Sequence, residues 1–149
     1  MTGKRFVLAL ALTLAGGAAA STELDAVRAE ANLEKRSKLA LDNAAMALKS
    51  ARDAYQAGDT ATVTAKADEI GESVNLAFNS LTETGKNPRK SPKWFKHAEM
   101  ETRELTRRLE DFAQQMNYND RAILDKTRAR VEQVHDELLT GLMEGRKKK

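Results

Sequence analysis

Mainly apolar side chains recur at alternating intervals of three and four residues along this chain. The most regular examples are Val63, Ala67, Ile70, Val74, Ala77 and Leu81, and then Phe95, Ala98, Thr102, Leu105, Leu109, Phe112 and Met116. That spacing places one apolar stripe along an α-helix, whereas a half-buried strand alternates at every second residue. No stretch of the sequence alternates in the second way. The chain is therefore predicted to be all-α.

Turn and capping residues divide this pattern into four predicted helices. Their approximate bounds are 22–57, 60–84, 92–117 and 120–144. Gly58 is expected to end the first helix and Asp59 to cap the second. Ser91 is a suitable cap for the third helix, with Pro92 at its first position, where a missing N–H costs nothing. Asn119 is expected to cap the fourth helix.

Helices with a single apolar stripe need one another, because none of them is stable alone in water. Short connections favour antiparallel neighbours, so residues 21–145 are predicted to form an antiparallel up-down-up-down four-helix bundle. Residues 21–36 are more polar than the rest of the first helix and are expected to project beyond the bundle. The alternative architecture is a pair of stacked helical hairpins.

That alternative comes from one resemblance. The stretch ARDAYQAGDTATVTAKA, residues 51–67, resembles the join between the two helices of a tetratricopeptide repeat. Tyr55, Gly58, Asp59 and Ala67 stand at the positions that the repeat pattern uses. The resemblance implies stacked hairpins, but it does not recur in the second half of the chain. Because a solenoid needs about three repeats to close a core, a single bundle is preferred.

The N-terminal residues 1–20 have the three parts of an export signal. Lys4 and Arg5 precede an apolar run over residues 6–15, and Ala18 and Ala20 follow at the small-residue positions that a signal peptidase requires. Ten residues of helix span about 15 Å, half of a bilayer core, so a transmembrane anchor is disfavoured. We expect cleavage after Ala20 and a periplasmic or secreted protein. The alternative is a cytosolic protein with a buried N-terminal helix.

Patterns typical of catalysis or metal binding are scarce. The chain has no cysteine, which excludes disulfides, thiol nucleophiles, cysteine-ligated zinc, iron–sulfur clusters and covalently attached haem within it. The two histidines, His97 and His135, do not form a His-x-x-x-His pair. We therefore predict no enzyme, no catalytic residue, no metal site and no cofactor.

A remote alternative is a carrier of non-covalent haem, held as in exported four-helix cytochromes by a methionine of the first helix and a histidine of the last. The candidates are Met46 and His135. Met46 stands two residues, roughly 200°, from the stripe formed by Ala44 and Leu48, so it is expected to face away from the core. His135 lies on the stripe of the fourth helix and is expected to be a boundary residue bonded to a carbonyl group.

The body of the chain is acidic, and its basic residues are concentrated in two places. Residues 21–84 and residues 99–145 each carry a net charge of −4, whereas residues 85–98 carry five bases and no acid. The final residues Arg146, Lys147, Lys148 and Lys149 add +4. A dedicated nucleic-acid binder would show a more even basic face, so a nucleic-acid partner is disfavoured.

The first basic element, residues 86–96, is named the basic strap because it joins the second and third predicted helices. Its candidate anion-binding residues are Lys86, Arg89, Lys90, Lys93, Trp94 and Lys96. Basic residues interleaved with aromatics can bind anionic lipid or single-stranded nucleic acid. The structural alternative is a plain connection, in which Phe95 lies on the core stripe and Trp94 covers the end of the bundle.

The second basic element, residues 146–149, is named the basic tail. Four consecutive positive charges after Gly145 cannot fold on their own and are available to phosphates or to an acidic surface. Each lysine near an anionic membrane contributes about 1 kcal/mol, so the tail would give weak and salt-sensitive adhesion. The alternative is an end that only improves solubility.

These features predict an exported, non-enzymatic helical bundle that acts through contacts with a protein partner, as an adaptor, scaffold or accessory subunit. The alternative function is weak binding of an anionic membrane surface or polymer through the basic strap and the basic tail. The signal, the capped helices, the join SPKWFKHAE and the lysine tail resemble the small exported helical proteins of bacteria. That resemblance transfers no functional residue.

Overall fold

The computed structural model describes residues 22–145, so the predicted export signal and the basic tail lie outside the described residues. Every regular element within that range is a helix, and the predicted all-α bundle is confirmed. The helices are α1 (Thr22–Arg28), α2 (Leu33–Gln56), α3 (Thr60–Glu83), α4 (Lys93–Gln115) and α5 (Asp125–Glu144), with a 3-10 helix over Tyr118–Leu124 immediately before α5.

The prediction of one continuous first helix over 22–57 is wrong. The chain leaves helical geometry between α1 and α2, and the side chain of Asn32 caps α2 by accepting the backbone N–H of Lys35 at 2.9 Å. The guanidinium of Arg36 donates to the carbonyl oxygen of Glu30 at 2.8 Å and stabilises the connection. An asparagine favours a cap over a helix interior because its side chain competes for backbone hydrogen bonds.

The prediction that residues 21–36 project beyond the bundle is also wrong. Leu24 and Val27 of α1 are buried in the main core, and Arg28 contacts the carboxylate of Glu72 on α3 at 3.4 Å. A short helix that folds back in this way removes two large apolar side chains from water, which an extended helix would leave exposed.

The helices pair as two antiparallel hairpins. In the first hairpin Gly58 ends α2 with a φ of +76°, and the carboxylate of Asp59 caps α3 by accepting the backbone N–H of Thr62 at 3.0 Å, as predicted. A buried hydrogen bond of 2.9 Å between the side chains of Asn43 and Ser73 joins α2 to α3 inside the core. The second hairpin consists of α4 and α5.

The two hairpins face each other through parallel neighbours. Helix α2 lies beside α4 and α3 lies beside α5, whereas α3 and α4 touch only weakly across the bundle. Thr127 donates to the carbonyl oxygen of Ala67 at 2.8 Å, and Arg130 donates further along to the side chain of Asn75, so residue numbers rise together on α3 and α5. Directions still alternate along the chain as predicted, and the basic strap crosses the bundle diagonally.

The predicted stripes form the core. All residues of the two most regular stripes are buried, together with Ala40, Ala44, Leu48 and Ala51 of α2, Leu124 of the 3-10 helix, and Val131 and Leu138 of α5. The polar member of those stripes, Thr102, satisfies its hydroxyl by donating to the carbonyl oxygen of Ala98 at 2.8 Å. A side chain that bonds its own helix in this way can be buried without an unpaired donor.

The starts of the last two helices differ from prediction. Pro92 itself occupies the N-cap of α4, with a φ of −80°, and Ser91 instead donates its backbone N–H to the carbonyl oxygen of Asn87 at 2.9 Å. Asn119 lies inside the 3-10 helix, and α5 begins later, at Asp125. In both places the chain forms a turn or a 3-10 helix at the predicted cap, and the α-helix begins after it.

Candidate anion-binding end of the bundle

The basic strap closes one end of the bundle through a compact turn. Gly85 ends the α3 side with a φ of +68°. The side chain of Asn87 accepts the backbone N–H of Arg89 at 2.9 Å, and its carbonyl oxygen accepts the N–H of Lys90 at 3.1 Å. An asparagine that bonds the backbone two residues ahead is a typical turn-forming residue. The strap therefore has a defined shape before any ligand binds.

The strap lies against the last turns of α5. A Cβ atom added to Gly141 would stand 3.2 Å from Cγ of Pro88. A Cβ atom added to Gly145 would stand 3.2 Å from Cδ of Arg89 and 3.3 Å from Oδ1 of Asn87. Gly145, which directly precedes the basic tail in the sequence, therefore lies beside the strap.

The charged residues of the strap are not equivalent. Lys86 forms an ion pair with Glu34 of α2, and the ammonium of Lys93 lies 5.1 Å from the ring centroid of Trp94. Arg89, Lys90 and Lys96 are exposed and have no acidic partner among the described residues. Three of the predicted anion-binding residues are thus free to bind an external anion, and Lys86 is already neutralised.

The aromatic residues of the strap serve the fold. Phe95 is buried in the core, as the structural alternative predicts. Trp94 is half-buried, packs against the core and meets the ring of His97 edge-on, with 6.1 Å between centroids. Phe95 is thus committed to the core, whereas Trp94 keeps part of its surface exposed beside the charges of the strap.

The candidate haem ligands do not converge. Met46 is 59% exposed on α2, as its position off the stripe predicts. His135 is half-buried on α5, and its Nε2 atom lies 2.9 Å from Oε1 of Glu99. The predicted carbonyl partner is therefore wrong, because the imidazole instead contacts a carboxylate of the neighbouring helix α4. Helices α2 and α5 stand diagonally across the bundle, which separates the two candidates.

A second surface feature, not predicted from the sequence, is a groove between the parallel helices α3 and α5. One part of about 510 Å³ lies between Gly71 and Ala129, and a second part of about 620 Å³ continues from Ala129 past Phe78 to Gly145. We name this whole feature the α3–α5 groove. Small residues on both helices were the signal for it, because glycine and alanine leave space where a larger side chain would fill the seam.

The described residues carry no sign of a metal centre or a membrane span. Glu132 and His135 stand three residues apart on α5, but no group of three or more histidine, aspartate or glutamate side chains within residues 22–145 is arranged to hold a metal ion. None of the described helices is both long and apolar enough to cross a bilayer. No family model, no curated protein and no solved structure matches this chain.

Proposed function

We propose that this chain is an exported, non-enzymatic binding protein whose basic strap and basic tail attach it to an anionic surface of the cell envelope. One observation carries the proposal: Gly145, from which the tail leaves, packs against Asn87 and Arg89 of the strap. The point from which the tail leaves therefore lies beside the strap, at one end of the bundle. We name this end, residues 86–96 with 146–149, the basic end.

The charge of the basic end supports binding of modest strength. Three unpaired cations of the strap and four residues of the tail give seven positive groups. Each contributes about 1 kcal/mol near an anionic surface, which corresponds to about a fivefold change in affinity. The rest of the chain has a net negative charge, so an approaching anionic surface is attracted to this end and repelled elsewhere.

Vesicle binding tests the proposal directly. The processed protein is mixed with vesicles of phosphatidylglycerol and phosphatidylcholine, or of phosphatidylcholine alone, and the bound fraction is measured by sedimentation. We expect binding only to the anionic vesicles. We also expect it to disappear between about 0.01 M and about 1 M salt, because the screening length falls from roughly 30 Å to roughly 3 Å.

A matched pair of variants locates the binding. Lys90→Gln with Lys96→Gln removes two charges from the basic end, and Lys49→Gln with Lys126→Gln removes two exposed charges elsewhere. We expect the first pair to weaken binding at least tenfold and the second to leave it nearly unchanged. Equal losses in both variants, or binding that is insensitive to salt, would contradict the proposal. Competition by soluble polyphosphate distinguishes a polymer ligand from a lipid surface.

The α3–α5 groove favours a second function that is compatible with the first. A bundle attached by its basic end keeps this groove exposed along its side, so a protein partner can bind there while the bundle is attached. In this view the chain is an adaptor or accessory subunit that holds a partner near the envelope. The shape and charge of the groove limit which partners fit.

A further inference from the structure

We propose that the α3–α5 groove binds an amphipathic helix whose polar side carries lysine or arginine. The inference goes beyond attachment through the basic end, because it concerns a different face of the bundle and a ligand of opposite charge. Four features of the groove carry it: its length, its floor, its acidic rim and the apolar side chains beside it.

The dimensions of the groove suit a helix. On the α5 side its lining extends from Lys126 to Gly145, about 29 Å at 1.5 Å per residue. That length accommodates about five helical turns. The floor is open where Gly71 and Ala129 stand, because these positions offer little or no side chain, whereas Pro88 of the strap lies against Gly141. Close approach of a helix backbone is therefore sterically allowed beside Gly71 and Ala129, and the ligand must pass over the side chain of Arg130, which donates to Asn75 across the seam.

The rim near the basic end is acidic. Glu132, Asp136 and Glu137 line this part of the groove. Glu132 and Glu137 have no basic partner within residues 22–145. The side chain of Glu137 accepts a hydrogen bond from the side-chain amide of Gln133 at 3.2 Å. Within the same range of residues, the ion-pair contact of Asp136 is with the imidazole of His135, at 3.6 Å. Carboxylates without cationic partners along an apolar floor indicate a ligand that brings its own positive charges.

Apolar side chains beside the acidic rim complete the surface. Phe78 of α3 is half-buried in the floor. Ala129 of α5 is exposed and adds a small apolar surface beside it. The partner should therefore be apolar on one face and basic on its flanks.

A synthetic peptide of leucine and lysine, patterned as an amphipathic helix, serves as the probe, and its binding is followed by fluorescence anisotropy. The matched control peptide has glutamate in place of every lysine. We expect the basic peptide to bind and the acidic peptide to bind at least tenfold more weakly. Equal binding of the two peptides would overturn the assigned ligand chemistry.

Variants of the protein assign the peptide to the groove. Ala129→Trp fills the seam from an exposed position and should weaken binding of the basic peptide at least tenfold. Thr140→Trp, also at an exposed position, blocks the groove in a second way should the first variant unfold. Glu132→Gln with Glu137→Gln should weaken binding of the peptide about fivefold, because charge pairs with its basic residues are lost. Its matched control is Asp53→Asn with Glu110→Gln, which removes two exposed carboxylates elsewhere and should have little effect.

Other outcomes overturn the inference. If the two tryptophan variants fold and still bind the basic peptide normally, the peptide binds outside the groove. A concentration-dependent dimer in sedimentation equilibrium, lost in Ala129→Trp, would assign the groove to a second copy of the chain. The variant Lys90→Gln with Lys96→Gln should bind the peptide normally, so failure of vesicle attachment and failure of groove binding are distinguishable.

Discussion

The hydroxyl of Tyr55 donates a hydrogen bond to the carboxylate of Asp120, with 3.0 Å between Oη and Oδ2. The same hydroxyl accepts the backbone N–H of Asn117 at 2.8 Å. Tyr55 belongs to the first hairpin, and both of its partners lie in the connection between α4 and α5. A single side chain therefore joins the two hairpins at the end of the bundle opposite the basic strap.

Removing this hydroxyl should destabilise the fold measurably. Tyr55→Phe loses both hydrogen bonds and leaves the N–H of Asn117 without its partner, which should lower the free energy of unfolding by about 1–2 kcal/mol. Tyr118→Phe is the matched control, because Tyr118 is 84% exposed. Urea titrations followed by circular dichroism compare the two. Equal midpoints for both variants would show that the Tyr55 contacts do not support the fold.

The core assignment is tested by truncating one buried leucine. Leu109 is completely buried on α4, so Leu109→Ala should lower the free energy of unfolding by about 2–5 kcal/mol through lost apolar contacts and a residual cavity. Met100→Ala on the same helix removes an exposed side chain and should change it by less than about 0.5 kcal/mol. A small cost for Leu109→Ala in denaturant melts would place that residue outside the core.

Two glycines within helices provide a paired test of the strap contact. Gly71 in α3 has open space where a Cβ atom would stand, so Gly71→Ala should raise the free energy of unfolding by about 0.5–1 kcal/mol. Gly141→Ala places the same methyl group 3.2 Å from Cγ of Pro88 and should gain clearly less. Identical gains in thermal melts would mean that the strap does not rest on α5.

The N-cap of α3 should make the free energy of unfolding depend on pH. The pKa of Asp59 is held below its ordinary value of 3.8, mainly because the hydroxyl of Thr62 and then its backbone N–H donate to the carboxylate. A lowered pKa in the folded state gives a stabilisation that is present above pH 3.8 and is lost as the pH falls through the folded value. Asp59→Asn keeps a capping side chain that does not titrate.

The measurement compares urea midpoints of the wild type and Asp59→Asn at neutral pH and at about pH 3. We expect the advantage of the wild type at neutral pH to shrink in acid. Asp53→Asn removes an exposed charge without removing a cap and controls for net charge. An advantage that grows in acid would contradict the hydrogen-bonded geometry of the cap.

The stripes were predictable because helical periodicity alone decides which face of a helix is buried. Every residue from Val63 to Leu81 on the second stripe, and from Phe95 to Met116 on the third, is buried as expected. The break between α1 and α2 was not predictable in the same way. Asn32 is a local signal for a new cap, but the return of α1 to the bundle depends on the burial of Leu24 and Val27 by other elements.

Which helices are neighbours, and which charged residues pair, could not be predicted from the sequence for a related reason. A stripe shows that a helix has an apolar face, but the face of α3 fits α5 or α4 equally well, so the parallel pairing and the α3–α5 groove were missed. The cations of the strap were visible in the sequence. The neutralisation of Lys86 by Glu34, which lies 52 residues away, emerges only from the fold.

The proximity of the basic strap and the basic tail is the central claim, and the absence of cysteine makes it directly measurable. Lys147→Cys provides one attachment site for a nitroxide, and amide signals are recorded by NMR. We predict selective broadening of residues 86–91 and no effect on residues 57–60, about 30 Å away along the bundle. Broadening at residues 57–60, or no broadening of the strap, would contradict a single basic end.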